Sequence, residues 1–145
     1  MREIKFRGKD VKTGEWVVGD LHTLCDRPHI HTAPSSFPYA GKRSFIDPET
    51  IGQFTGLRDK NGKEIYEGDI VECVSWNEYF SKDGKPMEPF RRKMFVDYRK
   101  GGFKMVEPMP EPMKDNEWDI ICNGDILVIG NIHDDPQLIN MKRLG

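Results

Sequence analysis

The sequence predicts a mainly β fold, and three observations lead to this prediction. The chain of 145 residues contains 14 glycines and 10 prolines, which is typical of many short strands joined by tight turns. The segment Ile51–Val74 combines a turn, two extended runs and a Gly-Asp entry to a third run. The run Arg91–Arg99 alternates apolar and charged residues with a period of two, as a half-buried strand does.

Composition limits the size of the core and the classes of partner. Hydrophobic residues make up 37% and charged residues 32% of the chain, so we expect one domain of ordinary size with a modest core. The formal net charge of -2 gives no overall attraction to nucleic acid or to an acidic membrane. No apolar run approaches the roughly 20 residues of a membrane helix, and no signal peptide is visible. We therefore expect a soluble, intracellular protein.

Residues 1–21 predict a β-hairpin. Ile4 and Phe6 alternate with charged neighbours, Asp10–Gly14 has the composition of a turn, and Glu15–Val18 forms the returning strand. A two-stranded piece is only marginally stable by itself. We therefore expect this hairpin to dock on the rest of the fold or on another copy of the chain.

Residues 22–50 are the least regular part of the sequence. Four prolines interrupt helices and central strands there, and they are Pro28, Pro34, Pro38 and Pro48. The segment therefore predicts a long loop that wraps from the hairpin to the remainder of the chain.

The same segment contains a cluster of possible metal ligands, His22, Cys25, His29 and His31. These residue types suit zinc, and His29 and His31 would lie on the same side of a strand. Structural zinc sites usually have two well-separated ligand pairs, however, whereas this is one crowded cluster. A mobile polar loop is therefore favoured over a metal site, and no cofactor is expected.

The central segment predicts a hairpin followed by a buried strand. Phe54–Leu57 is extended, Asp59–Lys63 has the chemistry of a two-residue turn with positive φ, and Glu64–Tyr66 resumes the strand. The adjacent branched residues Ile70 and Val71 indicate a strand buried on both faces or one with a bulge.

Two Gly-Asp corners resemble each other. Gly68-Asp69 and Gly124-Asp125 each precede a branched apolar run, which predicts two central strands entered through similar turns. Asp69 and Asp125 are interpreted as turn-stabilising residues, although a facing pair of carboxylates stays open as an alternative. Cys73 and Cys122 lie inside the two apolar runs and are expected to be small core residues.

Three segments together resemble the YopX family, whose members are small proteins found mostly in phages and prophages. The segments read TGLRDKNGKEIYEGDIV at 55–71, MREIKFRGKD at 1–10 and VIGNIHDDPQLI at 128–139. The resemblance implies no established activity. It implies a small SH3-type β-barrel at 51–145, preceded by a β-rich extension at 1–50 that contains the hairpin and the irregular wrapping loop.

The C-terminal tail predicts a short helix. Asp134 or Asp135 can cap it, and Pro136 suits its first position. Gln137–Met141 would then form a turn or so of helix, with Leu138 and Ile139 packed on the barrel.

A local excess of basic residues is a candidate nucleic-acid site. The residues are Arg91, Arg92, Lys93, Arg99 and Lys100, close in sequence to Lys104, Phe90, Phe95 and Phe103. Basic and aromatic side chains on a small barrel can bind single strands through phosphate contacts and base stacking. A solvated strand face, with Met94, Val96 and Tyr98 directed inwards, is the favoured alternative because the whole chain is slightly acidic.

No nucleotide-binding loop, nucleophile elbow or HExxH motif is present. The segment 107–118, EPMPEPMKDNEW, predicts an extended proline-rich loop. We therefore expect a non-enzymatic phage or prophage accessory protein in the host cytoplasm, most consistent with a binding or assembly module that self-associates or binds an unidentified host or phage protein. A nucleic-acid-binding barrel is the alternative, and a metal-dependent enzyme built on the histidines is the least favoured.

Overall fold

The computed structural model describes residues 2–32, 41–75, 84, 90–120 and 125–139, and for Ser75 and Phe90 it describes the backbone only. The predictions that involve Pro34, Pro38, Cys122, Gly124 and Met141 lie outside these residues. The described strands form two antiparallel sheets, which confirms the mainly β fold. By its contacts the chain divides into two compact units, Met1–Leu57 with Glu64–Glu67 and Arg58–Lys63 with Gly68–Gly145.

The first sheet has six strands in the order β4-β3-β2-β1-β5-β6. Their bounds are β1 Phe6–Lys9, β2 Trp16–Leu24, β3 Arg27–Thr32, β4 Lys42–Phe45, β5 Gly52–Arg58 and β6 Glu64–Tyr66, with a 3-10 turn at Pro48–Thr50. The sequence placed β5 and β6 with the C-terminal part. Their backbone places them here instead, because β5 pairs with β1 through Phe6 opposite Gln53 and Arg7 opposite Gly52.

The predicted N-terminal hairpin is confirmed, with Phe6 opposite Gly19 and Lys9 opposite Trp16. Its turn is stabilised by the buried Asp10, whose carboxylate accepts a hydrogen bond from the backbone N–H of Lys12. The hairpin does not stand alone, because β3 pairs with the second half of β2 and β5 pairs with β1.

The prediction of an irregular loop over 22–50 is wrong for much of that segment. β2 extends to Leu24, and Cys25 and Asp26 adopt positive φ values of 50° and 60° in a tight turn into β3. β3 then pairs with β4, with His29 opposite Phe45. Pro28 is tolerated because it is the second residue of β3, close to the end of the strand.

The second sheet has five strands in the order β10-β9-β8-β7-β11. Their bounds are β7 Asp69–Ser75, β8 Phe90–Arg99, β9 Gly102–Glu107, β10 Asn116–Asp119 and β11 Asp125–Asn131. The SH3-type barrel expected from the resemblance is not confirmed. Among the described residues the sheet is open, since β10 and β11 form its two edges and do not pair with each other.

The core of the second unit contains Ile70, Phe95, Val106 and Ile139, with Ile129, Ile132 and Leu138 packed against it. Ile70 and Val71 are both fully buried, so β7 is covered on both faces as the sequence predicted. The register shift lies in β11, between Val128 and Gly130. On β8 the inward parity predicted for Tyr98 is wrong, because this side chain is 54% exposed and contacts the ring of Phe103.

The predicted C-terminal helix is not confirmed, and the described residues there form a single 3-10 turn at Pro136–Leu138, in which Pro136 occupies the start. Leu138 and Ile139 pack against the core of the second unit, as predicted. No helix in the part of the chain that the structure describes has the length and apolarity needed to cross a membrane.

The turn between β5 and β6 differs from the predicted two-residue turn. Gly62 has a φ of 81°, but Asn61 does not adopt positive φ. The turn is instead organised by the Asp59 carboxylate, whose Oδ1 accepts hydrogen bonds from the backbone N–H groups of Asn61 and Lys63, both at 2.9 Å. A longer loop around one acidic side chain therefore replaces the compact Asn-Gly reversal.

The same carboxylate covers the outer edge of β11. Asp59 Oδ2 accepts a hydrogen bond from the Val128 backbone N–H at 3.0 Å, and the Lys60 N–H donates to the Ile126 carbonyl at 3.0 Å. β11 therefore forms hydrogen bonds with β7 on one side and with the Asp59 turn on the other. A further strand could pair with this outer edge only by displacing the turn. This is the physical reason why β10 and β11 do not close a barrel.

The Gly68-Asp69 corner leads into the centre of the second sheet. Gly68 has a φ of 86°, its N–H donates to the Val96 carbonyl and its carbonyl accepts from the Ile132 N–H, each at 2.8 Å. The strands β7 and β11, which begin at Asp69 and Asp125, are neighbours in the sheet. Asp69 lies opposite Asn131, however, and Asp125 lies opposite Val74. The two aspartates are thus at opposite ends of the strand pair and do not form a facing pair of carboxylates.

Replacement of Asp59 by asparagine is expected to destabilise the protein by about 1–3 kcal/mol at neutral pH, because one of the buried backbone N–H groups loses its acceptor. Burial raises the pKa of Asp59, but the N–H groups of Val128, Lys63 and Asn61 outweigh it and hold the pKa below its ordinary value of 3.8. A carboxylate with a lowered pKa stabilises the fold above its ordinary pKa. The difference between wild type and Asp59→Asn should therefore shrink as the pH falls below about 4. Urea unfolding at several pH values measures it.

The matched control is Asp26→Asn, the same substitution at an exposed turn residue with positive φ, which asparagine tolerates. We expect this variant to unfold as the wild type does. Equal stabilities for wild type and Asp59→Asn at pH 7 would contradict the role assigned to this carboxylate.

Candidate interaction surface

The edge strand β10 borders a cavity of the second unit. The cavity has a volume of about 880 Å³ and is formed by the β8–β9 hairpin, by β10 and by the segment that precedes β10. Its lining is Arg99, Lys100, Lys104, Glu111, Pro112, Met113, Lys114, Asp115, Asn116, Glu117, Trp118 and Asp119. We call these residues together the β10 surface.

The strand register places oppositely charged residues side by side on one face of the sheet. Asp97 lies opposite Lys104, and Lys104 lies opposite Asp119. Lys104 forms an ion pair with Asp119, and Lys100 forms one with Glu117 at 2.9 Å. Because side chains alternate across a strand, this face of β8, β9 and β10 becomes a ladder of paired charges beside the cavity.

Arg99 is at the centre of this ladder. Its guanidinium contacts Asp97 at 2.8 Å, Glu117 at 3.1 Å and Asp115 at 3.6 Å. Burial lowers the pKa of Arg99, but its hydrogen bonds to Asp97 and Glu117 outweigh this effect, so the pKa is raised. Lys100 and Arg99 lower the pKa of the Glu117 carboxyl below its ordinary range. The central pair Arg99–Glu117 is therefore ionised at neutral pH. Its charge-assisted hydrogen bond helps to fix this part of the β10 surface.

Two apolar side chains of the β10 surface are exposed, and by strand alternation Trp118 lies on the opposite face of β10 from Glu117 and Asp119. Trp118 is 38% exposed and Met113 is 49% exposed. The Arg92 guanidinium lies 5.2 Å from the centre of the Trp118 ring and pairs with Glu107 at 3.0 Å, so the tryptophan is held against the sheet.

The segment before β10 is ordered by the Asp115 carboxylate, which accepts a hydrogen bond from the Met109 N–H at 3.1 Å.

The five basic residues predicted to bind nucleic acid do not form one free cationic patch. Arg91 pairs with Glu72 at 2.8 Å, and Arg92, Arg99 and Lys100 are paired as described above. Lys93 is exposed and lies opposite Glu72 in the register. By strand alternation Arg91, Lys93 and Arg99 lie on one face of β8, whereas Arg92 lies on the other.

The cluster of possible metal ligands is only partly brought together. His22 lies directly opposite His29 across β2 and β3, and His31 follows two residues along β3. Cys25 is exposed at the turn, about 10 Å along the strand from His22 at the usual rise per residue. Within the described residues, no group of three or more His, Cys, Asp or Glu side chains is arranged to hold a metal ion as these side chains now stand.

The β10 surface is the feature that reasoning from the sequence missed. Residues 107–118 predicted only an extended loop, although β10 already begins at Asn116. The available signal was the sequence Asn-Glu-Trp-Asp, in which a large aromatic residue lies between two acidic residues. In a strand that pattern places the aromatic residue on one face and the acidic residues on the other, but it does not identify the cations that pair with the acidic residues.

Comparison with known proteins gives a fold and a family. No protein with a curated description is similar to this chain in sequence. The crystal structure of protein EF1440 from Enterococcus faecalis is similar, with a TM-score of 0.50 and 24% sequence identity over 96% of this chain and 99% of that chain. That likeness concerns the fold. The model of the YopX protein family matches residues 5–140, nearly the whole chain, and the protein therefore belongs to the YopX family.

Proposed function

We propose that this protein is a non-enzymatic binding or assembly module, and that the β10 surface is where it self-associates. The observation that carries the proposal is the open edge of β10, next to the exposed Trp118 and Met113 and the cavity of about 880 Å³. An edge strand presents backbone N–H and C=O groups that can pair with an added strand.

Side-chain chemistry supports a protein partner. Tryptophan, methionine and arginine are enriched in the centres of protein interfaces, and buried tryptophans often dominate binding energy. Trp118 is already restrained by Arg92, so ordering it costs little conformational entropy on association. The neighbouring cavity offers room for a side chain of the added segment.

A second copy of the chain is the partner that the charges favour. Four cations and four anions line the cavity, so two such surfaces do not repel each other through net charge. A two-fold interface requires a patch that is complementary to itself, and a surface of balanced charge satisfies that requirement. The other edge of the same sheet is covered by the Asp59 turn, which leaves β10 as the accessible edge of this sheet among its described strands.

The phage or prophage setting and the host cytoplasm, both expected from the sequence and the family resemblance, are part of this proposal. In that setting an assembly module would act by organising other components. Affinity capture from an infected or lysogenic host, with wild type and Trp118→Glu compared, identifies partners that depend on the β10 surface.

Light scattering should give the wild type a mass of about twice that of one chain. Trp118→Glu replaces an exposed apolar side chain on the edge strand with a carboxylate, so it should oppose association with a second copy and shift the mass to that of a monomer. The fold should survive this change because Trp118 is partly exposed.

The matched control is Ile4→Glu, which introduces the same charge at an exposed apolar residue outside the strands. We expect this variant to associate as the wild type does. A monomeric wild type, or an equal effect of both substitutions, would refute the proposal.

The nucleic-acid alternative makes a different prediction. Nucleic-acid affinity arises largely from cations that neutralise phosphates and release counterions, whereas Arg91, Arg92 and Arg99 already pair with carboxylates. We therefore expect the wild type to pass through a heparin column at about 0.15 M salt. Salt-dependent retention that disappears in the triple alanine variant of these residues would favour the alternative instead.

A further inference from the structure

Three of the four histidines lie on one face of the first sheet. His22 of β2 and His29 of β3 are directly opposite each other, and their ring centres are 5.5 Å apart. His31 lies two residues from His29 and therefore projects to the same face. Its ring centre lies 6.3 Å from that of His22. The sequence predicted that His29 and His31 share one side of a strand, and the pairing of β2 with β3 adds His22 to that face.

These separations are close to those of a metal site. A zinc ion binds imidazole nitrogen at about 2.0 Å, so two imidazoles on one tetrahedral ion have ring centres roughly 5 Å apart. The pair His22–His29 is at 5.5 Å and the pair His22–His31 at 6.3 Å. The rings now stack rather than converge, so metal binding requires rotation of the exposed His22 and the partly buried His31 side chains towards His29.

A buried ring nitrogen supports the same inference. His29 is only 7% exposed, and its Nδ1 atom is buried without a hydrogen-bond partner. Buried polar atoms are nearly always satisfied, and an unpaired one calls for a water, an ion or a rearranged partner. His29 lies between the rings of His22 and Phe45, the latter at 6.0 Å. The ring therefore has a restricted position, which suits a ligand.

The charged neighbours permit a cation. Asp20 lies opposite His31 across β2 and β3 and supplies a carboxylate on the same face. Arg43 lies opposite His31 on the other side, in β4, and opposes binding of a cation. The Arg27 guanidinium lies over the ring of Phe45, 4.2 Å from the centre of the ring. Cys25 is outside the cluster, so the imidazoles define the site.

We propose that His22, His29 and His31 form a binding site for one divalent transition-metal ion of the zinc class. Three neutral imidazoles are a ligand set that zinc, cobalt and nickel accept, and they leave a further coordination position open to water or to a partner's side chain. The site is distinct from the β10 surface and does not depend on the proposed self-association.

The test is a titration of Co²⁺ and Zn²⁺ into protein that has no His tag. Binding is measured by the absorption of the bound cobalt and by calorimetry. We expect one ion per chain and a visible cobalt band, which zinc removes. His22→Gln and His31→Gln should each weaken binding at least about tenfold, since each removes a ligand and metal affinity is sensitive even to changes beyond the ligands. These two residues are used because His29 is buried, and circular dichroism verifies the fold of each variant.

The fourth histidine supplies the matched control. His133 belongs to the second unit, so His133→Gln should bind cobalt as the wild type does. Cys25→Ser should also leave the affinity within about twofold. Absence of saturable binding, equal weakening by His133→Gln, or loss of binding in Cys25→Ser alone would overturn the proposal. Unchanged binding by Trp118→Glu would separate this result from the function proposed above.

Discussion

The Asp59 carboxylate is the constraint on which the arrangement of the second unit depends. One buried anion accepts three backbone hydrogen bonds, two within its own turn and one from Val128 of β11. Hydrogen bonds to an ionised acceptor are stronger than neutral ones, and a buried N–H without an acceptor is costly. The carboxylate therefore links the turn to β11, and the turn occupies the outer edge of β11, where another strand would otherwise pair.

This arrangement gives the five-stranded sheet two unlike edges. At β11 the hydrogen-bonding groups are used by Asp59 and Lys60, whereas β10 pairs with β9 only. An open edge invites uncontrolled association, and proteins usually protect such edges with charge. Here the protection is incomplete, because the acidic residues Glu117 and Asp119 are neutralised by cations on one face of β10 and Trp118 is partly exposed on the other. That combination is the basis of the proposed self-association.

The basic residues illustrate why local composition does not determine electrostatics. Along the chain, Arg91 to Lys100 carries several positive charges, and apart from Asp97, which pairs with Arg99, their acidic partners are distant in sequence. Glu72 is 19 residues from Arg91, and Glu117 is 18 residues from Arg99. Strand pairing brings each carboxylate beside its cation, so a run that is basic in sequence becomes a balanced surface in the folded sheet. For the histidines, pairing of β2 with β3 brings His22 directly opposite His29, a contact that their separation of seven residues does not indicate.

The sequence by itself determined the class of fold, the N-terminal hairpin, the buried strand at Ile70–Val71 and the family. Each of these depends on short-range chemistry, namely alternation of apolar residues, turn residues and a contiguous motif. Only the tertiary structure decided that β5 and β6 join the N-terminal sheet, that β10 is an open edge and that His22 shares a face with His29 and His31. The physical reason is that strand partners and edges are set by long-range hydrogen bonding, and a local pattern of residues contains no information about which distant strand will supply the other half of each bond.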